Sequence, residues 1–120
     1  MATHNETGKC GEEIAAKYLM SKGYVVLERN YRTKRAEIDI IARHKHMLVL
    51  VEVRAKQHEW FGTPEDTINH RKRARLIRNG LAYMHWKKYT GPWRVDAVCL
   101  VIDKNQNPRH VAHYENIVEC

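Results

Sequence analysis

The segment "AEIDIIARHKHMLVLVEVRAK", residues 36–56, decides how the rest of the chain folds. Its two halves, "AEIDIIA" (36–42) and "MLVLVEV" (47–53), are rich in aliphatic and β-branched residues and flank a short polar stretch. That pattern predicts an antiparallel hairpin. The apolar run from Met47 to Val51 announces a strand buried on both faces, yet Glu52, Arg54 and Lys56 then arrive at alternate positions. A carboxylate at the end of a buried strand is costly unless a cation or a hydrogen-bond network meets it. With the hairpin centred between Lys45 and His46, Asp39 faces Glu52 and Glu37 faces Arg54. A slip of one residue would put the two acids on opposite faces.

Towards the N-terminus, "YVVLERNY" (24–31) predicts a strand that completes a three-stranded meander. Before it, residues 8–22 carry Ile14, Ala15, Tyr18 and Leu19 at helical spacing, and Gly23 is a natural stop. On this helix Glu12 sits about 90° from the centre of the apolar stripe, at its border, whereas Glu13 points to solvent. Towards the C-terminus, residues 55–64, with Gly62 and Pro64, form the longest loop. Thr63 caps a second helix that runs to about Trp86, with Pro64 in its first turn and Glu65 and Asp66 complementing its dipole. Ala74, Ile77, Leu81 and Met84 form its apolar stripe, and Arg71, Arg75 and Arg78 form a basic stripe about 110° away. "WRVDAVCLVID" (93–103) is a second long buried strand, in which Arg94 and Asp96 share a face as an ion pair, and "HVAHYEN" (110–116) is a short terminal strand. The order αβββαββ predicts one α/β domain over residues 1–120, a mixed sheet with a helix on either side.

Apolar residues make up 43% and charged residues 29% of the 120 positions, a globular balance. The longest apolar run, Ala97 to Ile102, is far below the ~20 residues that cross a bilayer, and the polar start has no secretory pattern, so a cytoplasmic protein without membrane contact is expected. Three cysteines, Cys10, Cys99 and Cys120, suggest neither a disulfide framework nor a four-cysteine zinc site and are expected as reduced thiols. The eight histidines, "HKH" included, have no cysteine or acid at ligand spacing and are expected to be solvated. A net charge of +7 favours a polyanionic partner, nucleic acid above all.

Asp39 and Glu52, facing each other within about 5 Å, repel unless something positive lies between them. Two arrangements meet that need. The two carboxylates, the backbone carbonyl of Val53 and waters would make a hard oxygen site for Mg²⁺ or Mn²⁺. Alternatively, Glu52 pairs with Arg54 or Lys72 and Asp39 is solvated at the strand end. Acids that hold a metal, with Arg54 and Lys56 just beyond on the same face, are the parts phosphodiester hydrolysis needs. "RKRARLIR" (71–78) carries five basic residues in eight, and Arg71, Lys72, Arg75 and Arg78 are candidates for contacts to a nucleic-acid backbone. Trp60 and Phe61 are expected to tuck against the body of the domain.

Glu12, Asp39, Glu52 and these basic residues together resemble the PD-(D/E)-x-K nuclease superfamily. The chain looks most like the YraN-like family of uncharacterised bacterial proteins, which is similar to Holliday-junction resolvases. The resemblance rests on "GKCGEEIAAKYLMSKGYVVLERNYR", "EIDIIA", "LVLVEVRAK", "FGTPEDTINHRKRARL", "WRVDAV" and "HYENI", in that order. It implies a restriction-endonuclease-like fold, an acidic site joined by Glu12 from the first helix, and Lys72 as a phosphate contact. Two positions depart from the pattern: Arg54 stands where the superfamily commonly has lysine, and Ala36 where glycine commonly precedes E-I-D. Arginine stays protonated, so Arg54 can stabilise charge but cannot act as a base, a role left to Lys56. The expected activity is Mg²⁺-dependent endonucleolytic cleavage of DNA, branched or junction DNA included, in a homodimer by analogy with the resolvases. The alternatives are a non-catalytic nucleic-acid-binding protein that retains the fold, and a scaffold whose basic helix docks an acidic partner.

Overall fold

A computed structural model describes residues 4–57 and 69–118 of the chain. Helix α1 (His4–Ser21) leads into β1 (Val25–Arg32), β2 (Glu37–His44) and β3 (Met47–Lys56); α2 (His70–Lys87) follows, then β4 (Trp93–Ile102) and β5 (Pro108–Tyr114). The strands form one sheet in the order β1-β2-β3-β4-β5. β1, β2 and β3 make the expected antiparallel meander, β3 and β4 run parallel, and β5 returns antiparallel to β4. The parallel pair requires a crossover, and α2 lies within it. The predicted αβββαββ order and mixed sheet are thus observed. Among the described residues, no helix is long and apolar enough to cross a membrane.

Each face of the sheet carries a helix. Ala15, Ala16 and Leu19 of α1 pack on Ile40, Ala42, Val49, Val51, Val98 and Leu100. On the other face Tyr83 and Met84 of α2 join Ile41, Leu48, Leu50 and Val95. β3 is buried on both sides from Leu48 to Val51, as its unbroken apolar run demands. The helices approach closely where they lack a side chain: a Cβ on Gly11 would lie 2.5 Å from Ala55 Cβ, and one on Gly80 would lie 2.6 Å from Leu50 Cδ1. Gly23, at φ 91°, ends α1 in the left-handed region that the stop signal implied.

Three expectations need correction. The helix that ends at Lys87 begins at His70: Asn69 is extended and is its N-cap, accepting the Lys72 N–H at 2.9 Å, so the expected run to Trp86 is interrupted at Asn69. The readings for Trp60, Phe61 and Gly62 to Asp66 lie outside the described residues, as does Cys120. The packing stripe of α2 is also rotated. Ala74 is exposed and Leu81 is 52% exposed, while Leu76, Gly80 and Tyr83 turn inward beside Ile77 and Met84. The bare Cα of Gly80, set against Leu50, fixes that rotation. Finally, two histidines are structural. His113 Nε2 lies 2.8 Å from Asp96 Oδ2, and His44 stacks on Tyr24 with ring centroids 4.1 Å apart.

Asp96 is fully buried and is satisfied on every side. Arg94 Nε donates to it at 2.9 Å, as the shared strand face predicted, and the Asn116 N–H donates at 2.9 Å. Arg94 also reaches the Tyr24 hydroxyl at 2.8 Å and Glu115 at 3.0 Å. This network ties β4 and β5 to the turn between α1 and β1.

Candidate functional site

The hairpin register is the predicted one, with Ile40 opposite Val51, Ala42 opposite Val49 and His44 opposite Met47. The ladder ends at Ile40 and Val51, however. Beyond it the Asp39 side chain takes over, its Oδ2 accepting the Val53 N–H at 2.8 Å. Glu37 consequently does not face Arg54; it pairs with Arg32 of β1, and its carbonyl accepts from Asn79 Nδ2 at 3.0 Å. The site is the split that opens where β2 leaves β3.

Asp39 lines two recesses, one on each face of the sheet. The recess under α2 measures about 70 Å³ and also presents Glu52, Arg75 and Asn79. Lys72 Nζ stands 3.6 Å from Glu52 Oε2, so α2 brings the ion pair that was one of the two readings for Glu52. Burial pushes the Glu52 carboxyl above the usual range, and the Asp39 charge pushes it further, against the opposing pull of Lys72, Arg54 and Arg75.

On the α1 face a recess of about 360 Å³ is lined by Lys9, Glu12, Asn30, Arg32 and Asp39, with Val53 and Ala55 behind them. Glu12 sits at the border of the helix stripe as predicted, half-buried, while Glu13 is exposed and pairs with Lys17 at 3.6 Å. Gly11 lets α1 press on Ala55, which carries Glu12 down to the split. Glu12 Oε1 is buried without a hydrogen-bond partner. Burial, then Asp39, raises its carboxyl, with Arg32 and Arg29 acting the other way. Asp39 therefore couples two acids that approach from opposite faces of β3, rather than sharing one face with Glu52 alone.

Arg32 is the functional candidate that the sequence reading missed. Its Nη2 lies 3.2 Å from Asp39 Oδ1, and its Nη1 donates to the carbonyls of Tyr31 at 3.0 Å and Ile38 at 3.2 Å. It stands opposite Glu37 at the end of the β1–β2 ladder, a pairing set by the folded sheet. Arg54 is half-buried on β3 and Lys56 is exposed at its end, both in alternation with Glu52. Of the basic set on α2, Lys72 and Arg75 reach the acidic cleft; Arg71 and Arg78 are exposed on the helix and do not line it.

Among the described residues, no three His, Cys, Asp or Glu side chains converge as a ligand group for a metal ion. Mg²⁺ is commonly held by only one or two carboxylates and waters, so the donor set of Asp39 and Glu52 fits such an ion. The unpartnered Glu12 Oε1 supplies a further acceptor nearby. Val53 meets Asp39 through its N–H. Because the N–H and C=O of a strand residue point to the same edge, its carbonyl is directed towards the split as well.

A family model described as "Uncharacterised protein family UPF0102" matches residues 11–100 of the chain. The chain is 39% identical over 115 residues to a UPF0102 protein of Phocaeicola vulgatus, covering 96% of this chain and 93% of the relative. It is 38% identical over 111 residues to one of Thermodesulfovibrio yellowstonii, covering 92% and 94% of the two chains. A relative from Carboxydothermus hydrogenoformans is 39% identical over 115 residues, with 95% and 96% covered.

Proposed function

The chain belongs to the uncharacterised protein family UPF0102, and from that premise and the acidic split we propose that it is a Mg²⁺- or Mn²⁺-dependent DNA endonuclease of restriction-endonuclease-like architecture. The observation that carries this reading is that Asp39 lines both recesses, with Glu52 in one and Glu12 in the other, at the end of a strand ladder and beside the cations of α2. Asp39 and Glu52 would hold the ion, with the Val53 carbonyl at the same edge and Glu12 joining through its carboxylate or a water. When bound, the ion supplies the Lewis-acid charge that activates water and offsets charge on a phosphate.

The chain's own residues do the rest. Arg54, permanently charged and half-buried next to Glu52, stabilises negative charge on the scissile phosphate. Lys56, on the same strand face, positions the attacking water and relays its proton. Lys72 and Arg75 hold the backbone at the cleft, and Arg71 and Arg78 continue that contact along the helix. The substrate on this reading is DNA, branched DNA included, which places the protein in the cytoplasm; a homodimer follows by analogy with junction resolvases.

One observation favours a second reading. Asp39 and Glu52 already have cationic neighbours, Arg32 at 3.2 Å and Lys72 at 3.6 Å, an arrangement that suits a non-catalytic nucleic-acid-binding protein. The two readings separate on labelled linear, flapped and four-way DNA incubated with Mg²⁺ or Mn²⁺, beside EDTA and an Asp39→Asn/Glu52→Gln variant. Metal-dependent cleavage lost in the variant supports the endonuclease. Salt-sensitive binding without cleavage on any substrate supports the binding protein.

A further inference from the structure

A second recess, of about 690 Å³, lies at the far end of α2. Arg43, Lys45, Lys87 and Lys88 line it, Leu27 and Tyr89 add apolar surface, and no acidic side chain does. Two elements supply the charge. Lys87 and Lys88 come from the C-terminus of α2, where the helix dipole favours cations whatever their use. The dipole does not account for Arg43 and Lys45, which come from the β2–β3 hairpin.

Lys87 is partly neutralised, with its Nζ 3.7 Å from Glu28 Oε2. Among the described residues Arg43, Lys45 and Lys88 have no such acidic neighbour. The backbone adds an independent observation. Lys45 at φ 59° and Lys88 at φ 55° both occupy the left-handed region, where glycine or asparagine is the low-cost residue. Two positions that would be more comfortable with a small residue both carry lysine, and both line the same recess. The C-cap of the helix and the hairpin turn impose this conformation, and lysine stands at each in place of the residue that would cost less.

We propose that this recess is a second site for the phosphate backbone of DNA, which grips a strand at the end of α2 remote from the acidic split. Charge complementarity selects a polyanion, and the choice of DNA rests on the nucleic-acid reading of the acidic split. From Arg75 to Lys88 the helix spans roughly 20 Å, about six nucleotide steps of one duplex strand. The site binds backbone and needs no cleavage at the split.

The test is fluorescence anisotropy of a labelled duplex longer than this span, titrated in EDTA over a series of salt concentrations. Lys45→Asn/Lys88→Asn removes two charges and suits the left-handed backbone, so its melting temperature should not fall. Its affinity should drop about fivefold or more, with a salt slope smaller by about 2. Lys22→Gln/Lys104→Gln, the same change of charge on exposed positions away from the recess, should keep the wild-type slope. An unchanged affinity and slope in the first variant, an equal loss in the second, or no DNA binding by the wild type at low salt would each overturn the proposal. So would a first variant that keeps its DNA affinity but no longer binds phosphatidylglycerol vesicles, which would assign the recess to an anionic membrane. Because cleavage plays no part in the measurement, a protein that binds DNA here and proves inactive leaves this inference intact while removing the endonuclease.

Discussion

The Asp39 carboxylate accepts the Val53 amide hydrogen at 2.8 Å, just beyond the last backbone pair of β2 and β3, Ile40 with Val51. A side chain thus closes the ladder that the main chain abandons. The same carboxylate can then face both recesses and hold one edge of the split open.

Substitutions at Asp39 should separate these structural and chemical roles. Asp39→Asn keeps an oxygen acceptor for the Val53 N–H and loses a partly exposed pair with Arg32, so it should cost no more than ~1 kcal/mol. Asp39→Ala strands the amide and should cost about 1–3 kcal/mol. Both should lack metal-dependent cleavage. Urea denaturation measures the difference, and equal losses would mean that the amide does not depend on this carboxylate.

Asp96 should govern acid stability. Burial pushes its carboxyl up, but the hydrogen bonds from His113, Arg94 and the Asn116 N–H outweigh that and hold it below the ordinary value of 3.8. A lowered folded value means that the unfolded chain binds more protons near that pH. The contribution of Asp96 is therefore fully present above about pH 4 and is lost as the pH falls through 3.8 and below. Asp96→Asn should destabilise by about 3 kcal/mol near neutrality, since Arg94 loses its buried partner, and the gap from wild type should narrow under acid. Thermal melts across the acid range read this, and a constant gap would contradict it.

Gly11→Ala and Gly80→Ala should both destabilise, although alanine is the better helix former by about 1 kcal/mol. The added methyl groups meet Ala55 Cβ at 2.5 Å and Leu50 Cδ1 at 2.6 Å. Overpacking of this kind costs about 1–3 kcal/mol. The rigid Ala55 gives way less readily than the end of Leu50, so Gly11→Ala should be the worse of the two. Denaturation midpoints rank them, and any cleavage activity should fall further in Gly11→Ala because Glu12 moves with the helix.

Lys56→Ala should lower the rate of DNA cleavage at least about 100-fold if its amine handles the proton of the attacking water. Arg54→Lys should preserve cleavage, because a lysine supplies the same charge from the same strand position. Single-turnover cleavage compares them, and full activity in Lys56→Ala would move the proton-handling role elsewhere.

Much of this site was legible before any coordinates. The hairpin register followed from two apolar runs and a short polar turn, because a turn centred between Lys45 and His46 fixes which residues of β2 and β3 face each other. Helical spacing put Glu12 at the border of α1, and strand alternation put Arg94 beside Asp96. Arg32 and His113 were not legible. Their partners, Asp39 and Asp96, lie on other strands, and nothing local distinguishes such a residue from a solvated one.

The sequence by itself determined the order of elements, the pairing of β2 with β3 and the acids that gather at the end of that hairpin, since all of these follow from periodicity along one stretch of chain. Only the tertiary structure decided where the β2–β3 ladder stops and which way α2 faces. The first depends on an Asp39 oxygen competing for a backbone amide, and the second on how closely the bare Gly80 can approach Leu50. Both are contests between groups brought together by the folded sheet, so no spacing within a single element could have announced them.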